Sequence, residues 1–352
     1  MSFEKQLLPV VRPKSHSVSV LEYTEGRLMV TWFTGTREGT EDQIGVTSTM
    51  KPGSAEWSEP ETMIRMFEYE GDHWVTEQVV PIETESGETV VYTWASPLST
   101  FSLRGEGEHA AWLRVIEDNR PFRFRWSDGK AQDLECLSGQ AGLEELGIVF
   151  QGKPKLRHPD QGPAGGWVMP YHTQREPLYF RSRFLFVAGD GVTLEPSEAD
   201  LYQPPGALEP ALARFSDDRW LCYMRYGKRG EGFVWRSESI DGCRTFTDPV
   251  ATNLRNPHAA VDIAVGQSGR MVIIYNDSHS LRTPLTLGVS EDEGRTFRAQ
   301  DVETVQGEFS YPKLHQTRDG QWRLFYTHYR TGIAHVRFDE EWLMAGRKVV
   351  GM

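Results

Sequence analysis

The sequence is poor in cysteine. Only Cys136, Cys222 and Cys243 occur among 352 residues, and no two of them form a CxxC pair. An odd number of widely spaced cysteines indicates neither a disulfide framework nor the ligand spacing of a zinc site. We therefore expect buried free thiols and predict no metal or other cofactor.

Positive charge and long apolar runs are also scarce. The chain has 38 Lys and Arg residues against 50 Asp and Glu residues, a formal net charge of -12, which disfavours nucleic acid and anionic membranes as partners. No run approaches the roughly 20 apolar residues of a membrane span. The first residues, MSFEKQLLPVVRPKSH, do not resemble a secretory signal. A cytoplasmic location is expected for the sequence as written, although a chain whose leader had been removed would look the same.

A repeat of strand-like runs, each preceded by a turn signal, is the main pattern in the chain. Four of the turn positions are Gly166, Asp218, Gly269 and Gly320. Their spacings are 52, 51 and 51 residues (218 − 166, 269 − 218, 320 − 269). A similar run follows Gly26, and EGEHAAWLRV from Glu106 is interpreted as a sixth, degraded copy. Short strands at this period predict an all-β fold, a six-bladed β-propeller of four-stranded antiparallel blades that spans 1–352 as one domain.

Two of the repeats end in a related turn motif. Ser290 to Phe297 reads SEDEGRTF, a full match to SxDxGxTF, and Ser239 to Phe246 reads SIDGCRTF, with its glycine displaced to Gly242. In such a hairpin the Asp carboxylate accepts backbone N–H groups, the glycine takes a positive φ and the aromatic ring packs into the blade. The motif resembles the Asp box of the sialidase superfamily, and we interpret it as structural.

The strand before each repeated run is predicted to be the innermost strand of its blade. In four units it contains a residue followed by proline, namely Ser96, Lys153, Glu209 and Tyr311. Glu209 and Tyr311 each lie nine residues before their turn positions (218 − 209, 320 − 311), so they are equivalent. The residues predicted to converge on one central cavity are His16, Lys153, Glu209, Asp262 and Tyr311. Salt bridges that plug the channel are the alternative explanation for these ionisable groups.

The order of these residues resembles that of the sialidases, most closely the bacterial "predicted neuraminidase" branch. In that family a Glu on one inner strand is followed about one strand later by an Arg, as Glu209 is by Arg225. Another Arg precedes an Asp box, as Arg282 does, and a later inner strand carries a nucleophilic Tyr, matched by Tyr311. The resemblance implies a Glu-activated phenol that attacks the sugar and arginines that bind its carboxylate.

Two elements of the family pattern have no clear match. The arginine of the first inner strand is replaced in SHSVSV by His16, unless Arg37 reaches in from a loop. The acid/base Asp of the family follows the first blade, where Glu38, Glu41 and Asp42 compete. Asp42 is favoured, with Glu38 second.

These residues predict an exo-acting glycoside hydrolase for an acidic sugar, and hence an acidic oligosaccharide or polysaccharide as substrate. The catalytic candidates are Glu209, Tyr311, Asp42, Glu38 and His16. The substrate-binding candidates are Arg225, Arg282, Arg37, Lys153 and Asp262. Two alternatives stay open: a polysaccharide lyase that uses His16 and Tyr311 beside a uronate, and a glycan-binding propeller without chemistry.

Overall fold

The fold is a ring of six antiparallel sheets. The computed structural model describes residues 2–101, 118–140, 143, 147–174, 180–215, 218–228, 230, 232–346 and 348–351. With 57% strand and 4% helix, it is a six-bladed β-propeller, so the predicted fold class is confirmed. No helix in the described ranges has the length and apolar character needed to cross a bilayer.

The first half of the chain forms blades 1 to 3, after an initial strand that joins the last blade. That initial strand is β1 (Phe3–Leu7). Blade 1 contains β2 (Lys14–Glu22), β3 (Leu28–Gly35), β4 (Ile44–Met50) and β5 (Glu61–Ile64). Blade 2 contains β6 (Phe67–Tyr69), β7 (Asp72–Glu83), β8 (Thr89–Pro97), β9 (Arg120–Ser127) and β10 (Lys130–Cys136), with a short helix α1 (Leu98–Phe101). Blade 3 contains β11 (Ile148–Val149), β12 (Lys155–Leu156), β13 (Trp167–Gln174), β14 (Phe180–Val187) and β15 (Leu194–Leu201), with a 3-10 helix at Pro159–Gly165.

The second half forms blades 4 to 6. Blade 4 contains β16 (Ala207–Arg214), β17 (Trp220–Tyr226), β18 (Gly232–Ser239) and β19 (Val250–Asn256). Blade 5 contains β20 (Asp262–Val265), β21 (Met271–Asn276), β22 (Leu285–Ser290) and β23 (Thr296–Glu303). Blade 6 contains β24 (Phe309–Gln316), β25 (Trp322–His328) and β26 (Gly332–Phe338). The chain continues through α2 (Glu340–Met344) to β27 (Lys348–Gly351).

The two ends of the chain complete blades 5 and 6. Strand β1 pairs with β26, from Phe3 opposite Phe338 to Leu7 opposite Ala334, and so becomes the outermost strand of blade 6. The amino-terminal segment thereby closes the ring. Strand β27 pairs with β23 and gives blade 5 a fifth strand, which the sequence did not predict. The prediction of four strands per blade holds for blades 1, 4 and 6, whereas the others have additional short strands.

A turn residue with positive φ precedes the second strand of each blade. The turn residues are Gly26, Gly87, Gly166, Asp218, Gly269 and Gly320, with φ between 65° and 85°. The backbone N–H of each donates to the carbonyl three residues earlier. A side chain is disfavoured at positive φ, which explains the glycine in five of the six turns.

These turns also correct the sixth repeat. In blade 2 the turn residue is Gly87 and β8 follows it, so the assignment of EGEHAAWLRV to this place is wrong; that run lies outside the described residues. The prediction that Ser96 lies on an innermost strand is also wrong, because Ser96 lies near the end of β8, the second strand of the blade. Strand β7 is innermost and packs against β2 of blade 1.

Both Asp boxes form the expected hairpins. Asp292 accepts the Thr296 backbone N–H (2.8 Å) and hydroxyl (2.6 Å), and the Gly294 backbone N–H donates to Ser290 Oγ (2.7 Å). Slight burial raises the pKa of Asp292, but the bonds from Thr296 and Ser290 outweigh it and lower the pKa to about 2. Phe297 is fully buried between blades 4 and 5. The motif therefore anchors the blade.

The second box explains how a glycine can be displaced. Two consecutive residues of each box have positive φ: Glu293 (61°) and Gly294 (84°) in one, Gly242 (70°) and Cys243 (69°) in the other. A glycine at either position relieves one of the two strained conformations. The displaced Gly242 thus preserves the turn.

Candidate functional site

Bulges in four of the inner strands shape the centre of one propeller face. Pairing shifts between His16 and Ser19, Thr76 and Gln78, Leu208 and Ala211, and Ser310 and Lys313. A β-bulge leaves its extra residue outside the ladder and redirects the side chain. The bulged residues Ser17, Glu209 and Tyr311 have φ of 62°, 53° and 51°. Non-glycine residues in this conformation cost about 1–3 kcal/mol and concentrate at functional sites.

The bulged residues surround a cavity of about 70 Å³. Its ionisable and phenolic lining residues are His16, Glu38, Glu77, His172, Glu209, Arg225 and Tyr311. Five of them, His16, Glu38, Glu209, Arg225 and Tyr311, are site candidates from the sequence. Glu77 is an addition that sequence analysis missed, because blade 2 was placed in the wrong register along the chain. The bulge of β7 now identifies it as a member of this site.

Arg225 connects the two equivalent residues Glu209 and Tyr311. Its Nη1 donates to Glu209 Oε1 (2.6 Å) and to the Tyr311 hydroxyl (3.2 Å). Arg225 lies on β17 opposite Leu208, which places its side chain beside the Glu209 bulge. A phenol activated by Glu209 would be expected to bond to it directly, but Glu209 and Tyr311 are connected only through Arg225. The guanidinium lies between them because its several N–H donors can bind two oxygens at once.

Burial and charge determine the protonation of this group. Burial alone would raise the pKa of Glu209, but Arg225 and then His172 outweigh burial and lower it, so the carboxylate is charged. Burial, followed by the Glu209 charge, raises the pKa of Tyr311, so the phenol is neutral. Glu209 Oε2 is buried and has no hydrogen-bond partner among the described residues. This oxygen is available to accept a proton.

Two further arginines lie beside Tyr311. The Arg282 guanidinium carbon is 5.5 Å from the centroid of the Tyr311 ring. Glu308 Oε1 accepts from both Arg282 Nη1 (2.8 Å) and Arg330 Nε (2.7 Å). Arg282, Glu308 and Arg330 line an adjoining cavity of about 330 Å³. Three arginines, Arg225, Arg282 and Arg330, thus line the two neighbouring cavities.

The third arginine is Arg330 and not Arg37. Arg37 is exposed in the turn after β3 and does not line the cavity, so the expectation that it reaches the site is wrong. Arg330 follows β25 in the turn HYRTG, which the sequence analysis did not assign to the site. Its own φ is 54°, a conformation that sequence alone does not reveal.

Glu38, and not Asp42, is the carboxylate of the first blade that faces the site. Glu38 lines the cavity and forms an ion pair with Arg330. Asp42 instead accepts bonds within its own turn from the Thr36 backbone N–H (2.9 Å) and hydroxyl (2.9 Å), and from Arg12 (2.9 Å). Slight burial raises the pKa of Asp42, but these bonds and one from Thr40 outweigh it and lower the pKa to about 2. The preference for Asp42 is therefore reversed.

His16 contacts the nucleophile candidate directly. Its ring packs edge-on against the Tyr311 ring, with centroids 4.4 Å apart, and its Nδ1 lies 3.1 Å from Thr327 Oγ1. Burial, then the charges of Arg330, Arg282 and Arg225, lower its pKa well below the ordinary value. His16 is therefore neutral at physiological pH, unlike the arginine of the family pattern.

Lys153 and Asp262 do not join this group. Lys153 lines a separate cavity at the opposite end of the inner strands. Asp262 is buried at the start of β20, where its Oδ2 accepts the Leu314 backbone N–H (2.7 Å). The prediction that they converge with Glu209 and Tyr311 is wrong. The repeat predicts which residues lie near the propeller axis. Their depth along the axis depends on the register of each strand, which the repeat does not give.

The fold and the Asp boxes define the class: the chain is a BNR/Asp-box β-propeller with the fold of the sialidases. It belongs to the BNR repeat-like domain family, whose model matches residues 26–324. The comparison with curated proteins gave no match. Among the described residues, no group of three or more His, Cys, Asp or Glu side chains is arranged to hold a metal ion.

Solved sialidase structures share the fold at low sequence identity. The Hadza microbial sialidase Hz136 is 15% identical with a TM-score of 0.74, over 94% of this chain and 66% of that one. The NanB sialidase from Streptococcus pneumoniae is 11% identical with a TM-score of 0.74, over 96% and 70%. The intramolecular trans-sialidase from Ruminococcus gnavus is 13% identical with a TM-score of 0.73, over 95% and 96%. The chain thus spans about two thirds of the length of the first two and nearly all of the third.

Proposed function

We propose that the chain is an exo-acting glycoside hydrolase for an acidic sugar. The observation that carries the proposal is the group formed by Glu209, Arg225 and Tyr311 at the centre of the propeller face. A neutral phenol suits a sugar whose anomeric carbon bears a carboxylate, because a charged nucleophile would be repelled. Arg225, Arg282 and Arg330 supply the cations that bind this carboxylate.

The proposed reaction has two steps. Tyr311 Oη attacks the anomeric carbon while its proton moves to Glu209, and Glu38 protonates the departing glycosidic oxygen. Water then attacks the same carbon, its proton goes to Glu38, and Tyr311 leaves and recovers its proton from Glu209. Binding of the substrate carboxylate by Arg330 would release Glu38 from its ion pair, which leaves Glu38 able to carry a proton.

A lyase is the second candidate, because His16 is neutral and touches Tyr311. A neutral imidazole can remove the proton beside a uronate carboxylate while the phenol protonates the leaving oxygen. Hydrolysis yields a saturated sugar, whereas elimination yields an unsaturated sugar that absorbs in the ultraviolet. The two reactions can therefore be separated by their products.

The test is a screen of sialosides, 2-keto-3-deoxy sugars and uronides for released reducing sugar and for ultraviolet absorbance. On the best substrate, Tyr311→Phe and Glu209→Gln should each lower kcat by at least about 10²-fold to 10⁴-fold. Tyr275→Phe is the matched control, because Tyr275 is also a buried tyrosine and its hydroxyl has no partner among the described residues. Its kcat should equal that of the wild type.

Two results would contradict the hydrolase, and a third would contradict its proposed nucleophile. Ultraviolet-absorbing products would indicate the lyase. Binding of an acidic glycan without any product would indicate the glycan-binding propeller. Full activity of Tyr311→Phe would exclude the phenol as nucleophile.

A further inference from the structure

A second cavity lies at the opposite end of the central channel. Its volume is about 720 Å³, within the range of small-molecule sites. It is lined by the ends of the inner strands, including Glu22 of β2 and Gln316 of β24. His16 and Glu22 are six residues apart on β2, so the two sites are separated by about 20 Å at about 3.3 Å per strand residue. The second cavity is therefore distinct from the proposed glycosidase site.

Three lysines gather at the inner wall of this cavity. Lys153 and Lys155 line it, and Lys313 lies deeper, toward Glu209. Only 6% of Lys153 and 2% of Lys313 is exposed. None of the three has a carboxylate partner within 4 Å among the described residues. Asp262 is the nearby carboxylate, and its Oδ1 also has no hydrogen-bond partner there.

The lysines keep donors available. Lys153 Nζ donates to the Leu314 carbonyl (2.8 Å) and to His315 Nδ1 (2.9 Å). His315 Nε2 in turn donates to Glu22 (2.9 Å). Lys155 Nζ donates to the Ile263 carbonyl (3.2 Å). An ammonium has three N–H groups, so protonated Lys153 has one left and Lys155 two.

The surrounding charges leave the wall short of negative charge. Burial is the main cause that lowers the pKa of Lys153, Lys155 and Lys313, and Asp262 opposes it. The neighbouring lysines lower the pKa of Lys153 and Lys155 further. Burial and Lys153 likewise lower the pKa of His315 to about 4, so its ring is neutral. The remaining charged lining residues are already bound: Glu22 to His315, the Arg318 guanidinium to the Thr24 carbonyl, and Arg214 to Asp218. An anion bound at the wall would stabilise the protonated, charged form of the lysines.

We propose that this cavity binds a small organic phosphate, whose phosphate group is held by Lys153 and Lys155. A compact ammonium binds phosphate as a point charge, whereas planar carboxylates favour the paired donors of arginine. The rest of the cavity wall contains Leu156, Trp167 and Phe215. These apolar surfaces suit the organic part of such a ligand, for example a sugar ring.

The test is calorimetric titration with inorganic phosphate and glucose 6-phosphate at pH 7.5, with glucose as the uncharged comparison. We expect saturable binding of glucose 6-phosphate with a Kd below about 1 mM, weaker binding of phosphate and none of glucose. Repeating the titration in two buffers of different ionisation enthalpy should show proton uptake, because the bound anion raises the lowered lysine pKa values.

Substitutions locate the binding. Lys155→Met and Lys153→Met should each weaken it at least 10-fold, whereas Lys130→Met, at an exposed lysine of β10, should not change it. Arg282→Met, at the opposite face, should also leave the Kd unchanged. Lys155 is half-buried, so Lys155→Met remains informative even if Lys153→Met does not fold. The absence of saturable binding up to about 10 mM, binding that survives both lysine substitutions, or binding lost in Arg282→Met would overturn the proposal.

Discussion

Removal of the Arg225 side-chain charge tests the central feature of the candidate site. In Arg225→Met the carboxylate of Glu209 stays buried without its cation, since both side chains are 6% exposed in the native pair. Breaking a buried ion pair by removal of one partner costs about 3–5 kcal/mol. This is a large share of the roughly 5–15 kcal/mol that stabilises a folded protein.

The loss of stability in Arg225→Met should depend on pH. In the wild type the pKa of Glu209 is lowered on folding, so its contribution to stability is present above the unfolded pKa and is lost as pH falls through the folded pKa. In Arg225→Met burial prevails and raises the pKa of Glu209. The variant should therefore be most destabilised at neutral pH and recover relative to the wild type as pH falls toward 5.

The assay is urea unfolding at pH 7 and pH 5. The double variant Glu209→Gln/Arg225→Met should be more stable than Arg225→Met at pH 7, because it contains no unpaired buried charge. Arg244→Met is the matched control, since its ion pair with Glu195 is about half exposed and should contribute less than about 1 kcal/mol. A cost below about 1 kcal/mol for Arg225→Met, or a double variant no more stable than the single one, would refute the reasoning.

Three further predictions concern stability. Gly294→Ala should lower the free energy of unfolding in urea by about 2–3 kcal/mol, because its φ is 84° and the added Cβ would lie 2.4 Å from Tyr223 Oη. Gly242→Ala, which has a φ of 70° and open space around it, should lower it by only about 1 kcal/mol. Equal costs would show that the contact with Tyr223 does not contribute. Burial lowers the pKa of His172 to about 4, so the unfolded chain binds more protons than the folded chain below pH 6.5. At pH 5 the wild type should therefore have lost about 2 kcal/mol of its free energy of unfolding, whereas His172→Gln should retain it. Parallel pH profiles of stability for the two proteins would contradict this. Deletion of residues 2–7 removes β1 and should speed amide hydrogen exchange in β26, its pairing partner, but not in β19.

The sequence alone determined the architecture and one pair of candidate site residues. Turns that need a positive φ recur at a fixed distance, so Gly269 and Gly320 mark the blades before any packing is known. Glu209 and Tyr311 share the same offset from their turns, and the propeller places equal offsets at equal depth around the axis. Local rules of backbone geometry are enough for both results.

Tertiary structure decided which other residues meet that pair. Arg330 lies beside the site in a turn that the sequence analysis did not assign to it. Glu77 was identified only when the structure gave the correct strands of blade 2. Lys153 was predicted for the site, yet it faces the opposite end of the channel. Sequence spacing identifies the inner strands, but a shift of one or two residues, or a bulge, changes the direction and depth of a side chain. Sequence spacing alone does not reveal these shifts.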